Sequence, residues 1–234
     1  MRIDQTTWMQ VEEYLRHDDR CVVPLGSTEQ HAYLSLCVDA ILAQKVAMDA
    51  AEPLGVPVFP VLPYGITPYF MAYPGTVTLS QGTHERVLAE ILSGLFGHGF
   101  RRFLVVNGHG GNSVARPALE SWAAAYRGAV LQWHDWWKAP RTMSAVKAID
   151  RAASHASWME GFPWTRVPTV VAPARHKAPV DLTGREGLSP QAFRERLGDG
   201  SFGGYYERPD EELLAIWDIA VAETRQLLEG GWGP

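Results

Sequence analysis

The chain has 234 residues, 46% hydrophobic and 20% charged, and its 21 Lys and Arg against 26 Asp and Glu give a formal net charge of -5. That length and balance suit a folded chain with a sizeable core and exclude a disordered or fibrous one, while the acidic balance without a long basic run argues against nucleic acid as a partner. The two cysteines, Cys21 and Cys37, lie outside any Cys-x-x-Cys pair, which excludes a disulfide framework and suggests a reducing cytoplasm.

The N-terminal residues lack the apolar core of a secretory leader, and no run of about 18 apolar residues follows, so neither export nor membrane insertion is expected. Residues 21–25 form the first predicted strand, short and apolar, ending at Gly26. A helix over 38–51 follows from Val38, Ile41, Leu42 and Val46 at helical spacing, with Pro53 limiting its extension. Residues 56–62 read as the second strand. The helix over 85–96 places Val87, Leu88, Ile91, Leu92, Leu95 and Phe96 on one face before Gly97 and Gly99 stop it. A strand over 103–106 leads through a glycine turn to a shorter helix over 113–126, whose Pro117 must sit near the first turn. Strands over 129–133 and 169–171 follow, and the longest helix, 209–229, carries Leu213, Trp217, Ala220, Thr224 and Leu228 on one side. Residues 173–204, rich in Gly, Pro and charge with little periodicity, read as a long excursion near the site. Strands alternating with helices, without repeat or linker, point to an α/β layer fold, and the length permits one domain or two.

Three clusters carry potential chemistry. Pro24-Leu25-Gly26-Ser27-Thr28-Glu29-Gln30-His31 leaves the first strand at the end where open α/β sheets place their sites. In an extended segment Glu29 and His31 project to the same side, about 7 Å apart at Cα, and Asp39 opens the next helix. Two carboxylates and an imidazole can hold a borderline divalent metal such as zinc or manganese; a capping Asp39 beside two solvated residues is the plainer alternative. Asn107-Gly108-His109-Gly110-Gly111-Asn112 follows another strand. Its glycines permit close backbone approach and lift His109 clear of the sheet, and the Lys-Ser/Thr ending of a phosphate-binding P-loop is absent. His155 and Glu160, five apart, do not share a face of a regular helix, so one must lie at an end or bend.

In their order, the Gly26 to His31 run, Asp39, Tyr73-Pro74-Gly75-Thr76, Gly97-His98-Gly99-Phe100-Arg101, the Asn107 to Asn112 run and the His155 to Glu160 segment resemble the signatures of the creatininase (creatinine amidohydrolase) family. The resemblance implies a single domain over 1–234, a three-layer α/β/α sandwich with a mostly parallel central sheet and a dinuclear metal centre at the strand ends. It implies cleavage of a C-N bond in a small cyclic or linear amide by hydroxide activated at the two ions, Zn2+ or Mn2+ with Fe2+ also admitted. Carried over by motif, Glu29, Asp39 and His109 would hold one ion and His31, Asp39 and Glu160 the other. Creatininase proper has a carboxylate inside the glycine turn where Gly111 stands here, which is why the last ligand is assigned to Glu160. His155 is the candidate proton shuttle, with Glu160 as ligand, base or both. The family's commonly hexameric members imply a homo-oligomer acting on a small-molecule amide. Two alternatives are metal-assisted cleavage of another bond, by a deformylase, peptidase or lactonase, and a binding protein that kept the fold without turnover.

Tyr33, Trp133, Trp136, Trp137, Trp158 and Trp164 lie near these residues in sequence; no more than two are expected to touch substrate, since most tryptophans are core. His134-Asp135 offers a further polar contact or relay. Residues 199–205 resemble a mobile glycine-rich cover.

Overall fold

The computed structural model describes residues 1–233. At its centre β1 (Arg20–Leu25), β2 (Arg102–Asn107) and β3 (Val130–Asp135) run parallel in that order, with Val22 opposite Leu104 and Leu104 opposite Gln132. The period of two along β1 and β2 divides their side chains between two cores. Val22, Leu104 and Val106 pack against Val38, Leu42 and Val46 of α2 (Val38–Ala51) and Leu213 and Trp217 of the long C-terminal helix, Asp210–Glu229. Val23, Leu25, Phe103 and Val105 face the opposite way, toward Leu88 and Leu92 of α3 (Gln81–His98) and Leu119 and Trp122 of α4 (Arg116–Ala125). Helices therefore cover both faces, and the fold is α/β in three layers, as expected.

Of the expected strands, residues 56–62 run beside β1 without forming a continuous ladder. The Val22 N–H donates to Pro57 O, the Phe59 N–H to Val22 O and the Leu62 N–H to Pro24 O, at 2.9, 2.9 and 3.1 Å, but only isolated bridges form at Val58 and Leu62. Pro57, Pro60 and Pro63 have no N–H to extend the pairing. Residues 169–171 form no strand: Pro168 and Pro173 flank them, the Val170 N–H closes a turn on Val167 O at 3.0 Å, and Val171 is 89% exposed. Their β-branched content has no neighbouring strand to use it. The helix expected over 113–126 forms only from Arg116; a 3-10 turn over Gly110–Ala115 precedes it, and Pro117 sits in its first turn.

Three short helices were not anticipated: α1 (Trp8–Tyr14), α5 (Pro140–Ile149) and α6 (Pro190–Leu197), the last within the excursion. No side chain of its own segment caps α5. Glu223 of α7, the Asp210–Glu229 helix, does so instead, accepting from the Arg141 and Thr142 N–H groups at 2.9 and 2.7 Å and from Thr142 Oγ1 at 2.6 Å. Burial works against this charge, yet the Thr142 and Arg141 donors hold its pKa below the ordinary glutamate value. A depressed folded pKa contributes stability that is present above the unfolded pKa and lost as pH falls through the folded one. Glu223→Ala is therefore expected to cost about 1–3 kcal/mol at pH 7. In urea unfolding, the gap to wild type should close as the solution is acidified below about pH 4.

The excursion is anchored where it folds back over the strand ends. Its two-residue strands, β4 (His176–Lys177) and β5 (Gly204–Tyr205), pair antiparallel. Asp150 accepts from the Tyr205 N–H and Trp158 Nε1, and lies 3.2 Å from His176 Nε2. Lys177 Nζ donates to Leu197 O, Ser201 O and Asp199 Oδ1 at 2.8, 2.7 and 2.6 Å. Phe193 and Leu197 then pack against Phe70 and Tyr73. No helix among the described residues is long and apolar enough to cross a membrane.

Candidate metal centre

The segment after β1 is fixed from the side by the Tyr73 to Thr76 run and its neighbour: the Val77 N–H donates to Thr28 O at 2.9 Å, and the Gln30 N–H to Thr76 Oγ1 at 3.1 Å. On the other side α2 begins almost in contact with the strand ends. A Cβ on Gly26 would stand 2.4 Å from Ala40 Cα, and one on Gly108 would stand 2.4 Å from Asp39 O. Only residues without a side chain allow that approach, and it carries Asp39 into line with Glu29 and His31. Two asparagines lace the glycine turn. Asn107 Nδ2 donates to His109 O and to Asp135 Oδ1, both at 2.8 Å, while Asn112 Nδ2 donates to Gly26 O and Asn107 Oδ1 at 3.0 and 3.1 Å. At the far end, a turn with Ala156 at φ 56° precedes the 3-10 turn Trp158–Glu160. Its Ala156 N–H donates to Glu160 Oε2 at 2.6 Å. This is the bend that the five-residue spacing of His155 and Glu160 demanded.

All five predicted acids and imidazoles meet at one place. Asp39 is the centre: its Oδ1 lies 3.2 Å from His31 Nε2 and its Oδ2 3.1 Å from His109 Nδ1. Glu29 Oε1 lies 3.3 Å from His109 Nδ1, and Glu160 Oε2 3.9 Å from His31 Nε2. Potential ligand atoms within 4.8 Å of one another form the sets Glu29, Asp39 and His109, and His31, Asp39 and Glu160, with Asp39 common to both. A third such set joins Glu29, His31 and His155.

Neighbouring bonds aim these groups. His31 Nδ1 lies 3.1 Å from Glu29 O and His109 Nε2 lies 3.0 Å from Ile66 O, so each ring spends one N–H on a carbonyl and turns its other nitrogen to the cluster. Ser27 Oγ donates to Asp39 Oδ2 at 2.8 Å. Glu29 Oε2 and His31 Nε2 are fully buried without a hydrogen-bond partner. Buried polar atoms are rarely left so. Three carboxylates and two imidazoles around two such orphans fit a pair of borderline divalent cations.

The electrostatics agree with a site built for positive charge. Burial pulls His31 down, but Asp39, Glu160 and Glu29 outweigh it and raise its pKa to about 10; His109 is likewise raised well above the ordinary value by Glu29 and Asp39. Burial opposes the Asp39 charge, yet His31 and His109 hold it far below the usual carboxylate range, and His109 also lowers Glu29. Glu160 goes the other way: burial, with Asp39 and Glu29 adding to it against His31, lifts it to about 7. Burial and the neighbouring His31 push His155 down to about 3. Without a cation, protons on imidazoles must balance the acids.

His155 sits at the edge of the cluster, its Nδ1 3.8 Å from Glu29 Oε1 and its ring stacked on Phe70 at 4.9 Å. Gln30 links it to the excursion: Gln30 Nε2 lies 2.9 Å from His155 Nε2 and donates to Gly200 O at 3.1 Å. The glycine-rich cover is thus held by a residue of the Glu-Gln-His run itself. Of the six aromatics named from sequence, Trp137 lines the cleft. Trp136 and Trp158 are core, and Trp164 packs against that core. Tyr33 meets Tyr206 edge-on, and Trp133 Nε1 donates to Asp135. His134 turns away from the cleft toward Thr224 Oγ1 at 3.1 Å, and its burial lowers its pKa to about 4. Sequence reasoning missed the aromatic wall of Tyr69, Phe70, Phe193 and Phe202. Its only signals are two clustered aromatics before the Pro-Gly-Thr run and lone phenylalanines in an aperiodic segment.

Three curated proteins share sequence with the chain. A 3-dehydro-scyllo-inosose hydrolase from Thermotoga maritima is 30% identical over 123 residues, 52% of this chain and 40% of that protein. A creatinine amidohydrolase from Pseudomonas putida is 32% identical over 120 residues, 48% of this chain and 46% of its own. A mycofactocin precursor peptide peptidase from Mycolicibacterium smegmatis is 36% identical over 108 residues, 42% of each. The matches thus span less than half of each relative's length. A solved creatinine amidohydrolase (creatininase) shares the fold with a TM-score of 0.78 at 22% identity, covering 100% of this chain and 98% of that one. The creatininase family model, described as creatinine amidohydrolase, matches residues 4–228, and the chain belongs to that family.

Proposed function

We propose that the chain is a metal-dependent amidohydrolase that cleaves a C-N bond of a small cyclic or linear amide. The observation that carries this reading is the convergence of Glu29, His31, Asp39, His109 and Glu160, from four separate segments, with two buried ligand atoms left without a hydrogen bond. Glu29, Asp39 and His109 would hold one divalent ion and His31, Asp39 and Glu160 the other. Such a pair lowers the pKa of water and polarises a scissile carbonyl. Manganese and Zn-Zn forms of creatininase, at 20% identity, share this fold and support those two metals. Within the chain, Ser27, Glu29 O and Ile66 O orient the acid and the two rings. His155, at the edge of the cluster with its Nδ1 3.8 Å from Glu29 Oε1, is the residue that would pass a proton to the leaving nitrogen. The Phe70 and Phe202 rings against it exclude water from its face.

The 3-dehydro-scyllo-inosose hydrolase and the peptide peptidase among the relatives keep a second reading in view, cleavage of another bond by the same centre. A homo-oligomer in the cytoplasm, as in the family's hexamers, completes the proposal. The test is elemental analysis of purified protein followed by an amide substrate panel. Two divalent ions per chain and hydrolysis that chelation abolishes and metal restores are expected. A protein that folds and binds no stoichiometric metal would overturn the reading.

A further inference from the structure

The cleft above the acidic cluster holds about 470 Å3. Three cations reach it from three separate segments: Lys138 from the turn after β3, Lys147 from α5 and Arg185 from the excursion. Among the described residues, Glu29, Asp39 and Glu160 of its floor are the only carboxylates that line it. The cations are also poorly neutralised. Lys138 forms no ion pair among the described residues, and its Nζ lies 5.3 Å from the Trp137 ring centroid. Lys147 Nζ donates to the carbonyls of Arg151 and Ala153 at 2.9 and 2.7 Å, which hold its position and leave its charge. Among the described residues, Arg185 pairs with its exposed neighbour Glu186 alone, at 3.6 Å. On a chain of net charge -5 this is a local reversal of sign, placed at the mouth of the functional cleft. A cleft rimmed by one sign of charge concentrates ligands of the other.

We infer that the substrate carries an anionic group, a carboxylate or a phosphate, which docks on Lys138 and Arg185 while its amide lies over the floor. The inference rests on the hydrolytic reading above. Ammonium and guanidinium donors suit both anions, and the aromatic wall receives the apolar part of the molecule between the two ends. Two divalent ions would carry four positive charges against the three floor carboxylates, so the loaded floor does not repel such a substrate.

The test is equilibrium binding by calorimetry to the metal-loaded protein at low salt, with three probes of similar length: N-acetyl-β-alanine, its neutral carboxamide, and 2-acetamidoethyl phosphate. At least one anion is expected to bind about 10-fold or more tightly than the carboxamide. The comparison between the two anions identifies which group is read. A Lys138→Gln and Arg185→Gln double variant is expected to lose that preference and keep both its metal and its affinity for the carboxamide. Equal binding of all three probes, no binding of either anion, or a preference that survives in the double variant would each overturn the inference, the last by showing that Lys147 or the floor, and not Lys138 with Arg185, holds the anion. Metal content on the same samples reports on the hydrolytic reading separately: a wild-type protein that took up no metal would fail that reading, whereas a metal-loaded protein without the anion preference would fail this inference alone.

Discussion

Replacing Asp39 with asparagine is expected to empty the metal centre and abolish turnover while leaving the fold in place. Asparagine has the same shape, and Asp39 opens α2 without a capping bond that the helix depends on. What disappears is the charge facing both imidazoles, 3.2 Å from His31 Nε2 and 3.1 Å from His109 Nδ1. Because this one side chain belongs to both sets of ligand atoms, its loss should remove two ions together. Ser27→Ala, which deletes only the hydroxyl bonded to Asp39 Oδ2, is expected to cost about 10–100-fold in metal affinity or activity. Asp39→Asn should exceed that clearly. Thermal shift provides the second readout: metal at 100 times its Kd stabilises a folded protein by about 2.7 kcal/mol. Wild type should show that gain and Asp39→Asn should not. A variant that still bound two ions per chain would refute the shared-ligand arrangement.

Gly108→Ala is expected to be a severely damaging single-methyl change. Its Cβ would meet Asp39 O at 2.4 Å and Ala43 Cβ at 3.1 Å, and the main chain of α2 cannot rotate aside as a flexible side chain would. The helix must ride outward, at a cost of about 1–3 kcal/mol. For a chain of this size each kcal/mol lowers Tm by about 2–4 °C. The same outward movement displaces Asp39, so Gly108→Ala should lose metal in proportion beyond its loss of stability. Leu92→Ala, a core truncation in α3 costing about 2–5 kcal/mol, should unfold the protein more readily yet retain its metal while folded. Gly94→Ala meets nothing within 4 Å inside α3 and is expected to stabilise by about 0.5–1 kcal/mol. If Gly108→Ala resembled Gly94→Ala, the close seating of α2 would not be what positions Asp39.

The parts of the fold legible from sequence were those whose signal is local. The apolar runs of β1, β2 and β3 and the stripes of α2, α3 and the Asp210–Glu229 helix depend on periodicity alone, and they lie where the pattern placed them. The candidate site was legible for a different reason. Glu29, His31, Asp39 and His109 sit at strand ends or helix starts, where few residue types are required by packing and unusual ones stand out. The failures come from tertiary context. Residues 56–62 have strand composition, but Pro57 and Pro60 interrupt the ladder, and 169–171 have it with no neighbour to pair with. The start of α5 is capped by Glu223 from far along the chain, a contact that no window of sequence contains. Phe193 and Phe202 reach the cleft only because Lys177, Asp150 and Gln30 hold the excursion over it.

That excursion has a consequence for how such proteins diversify. The acids and imidazoles of the floor are fixed by strands and helix starts that cannot shift without disturbing the core, whereas one contiguous segment supplies Arg185, Phe193 and Phe202 and is fastened at a few points. Selection for a new substrate can therefore act on a single stretch of gene while the reactive chemistry is inherited unchanged. Insertions, deletions and rapid substitution among relatives should accumulate between residues 173 and 204, and exchanging that stretch between two members should transfer preference without altering which metals are bound.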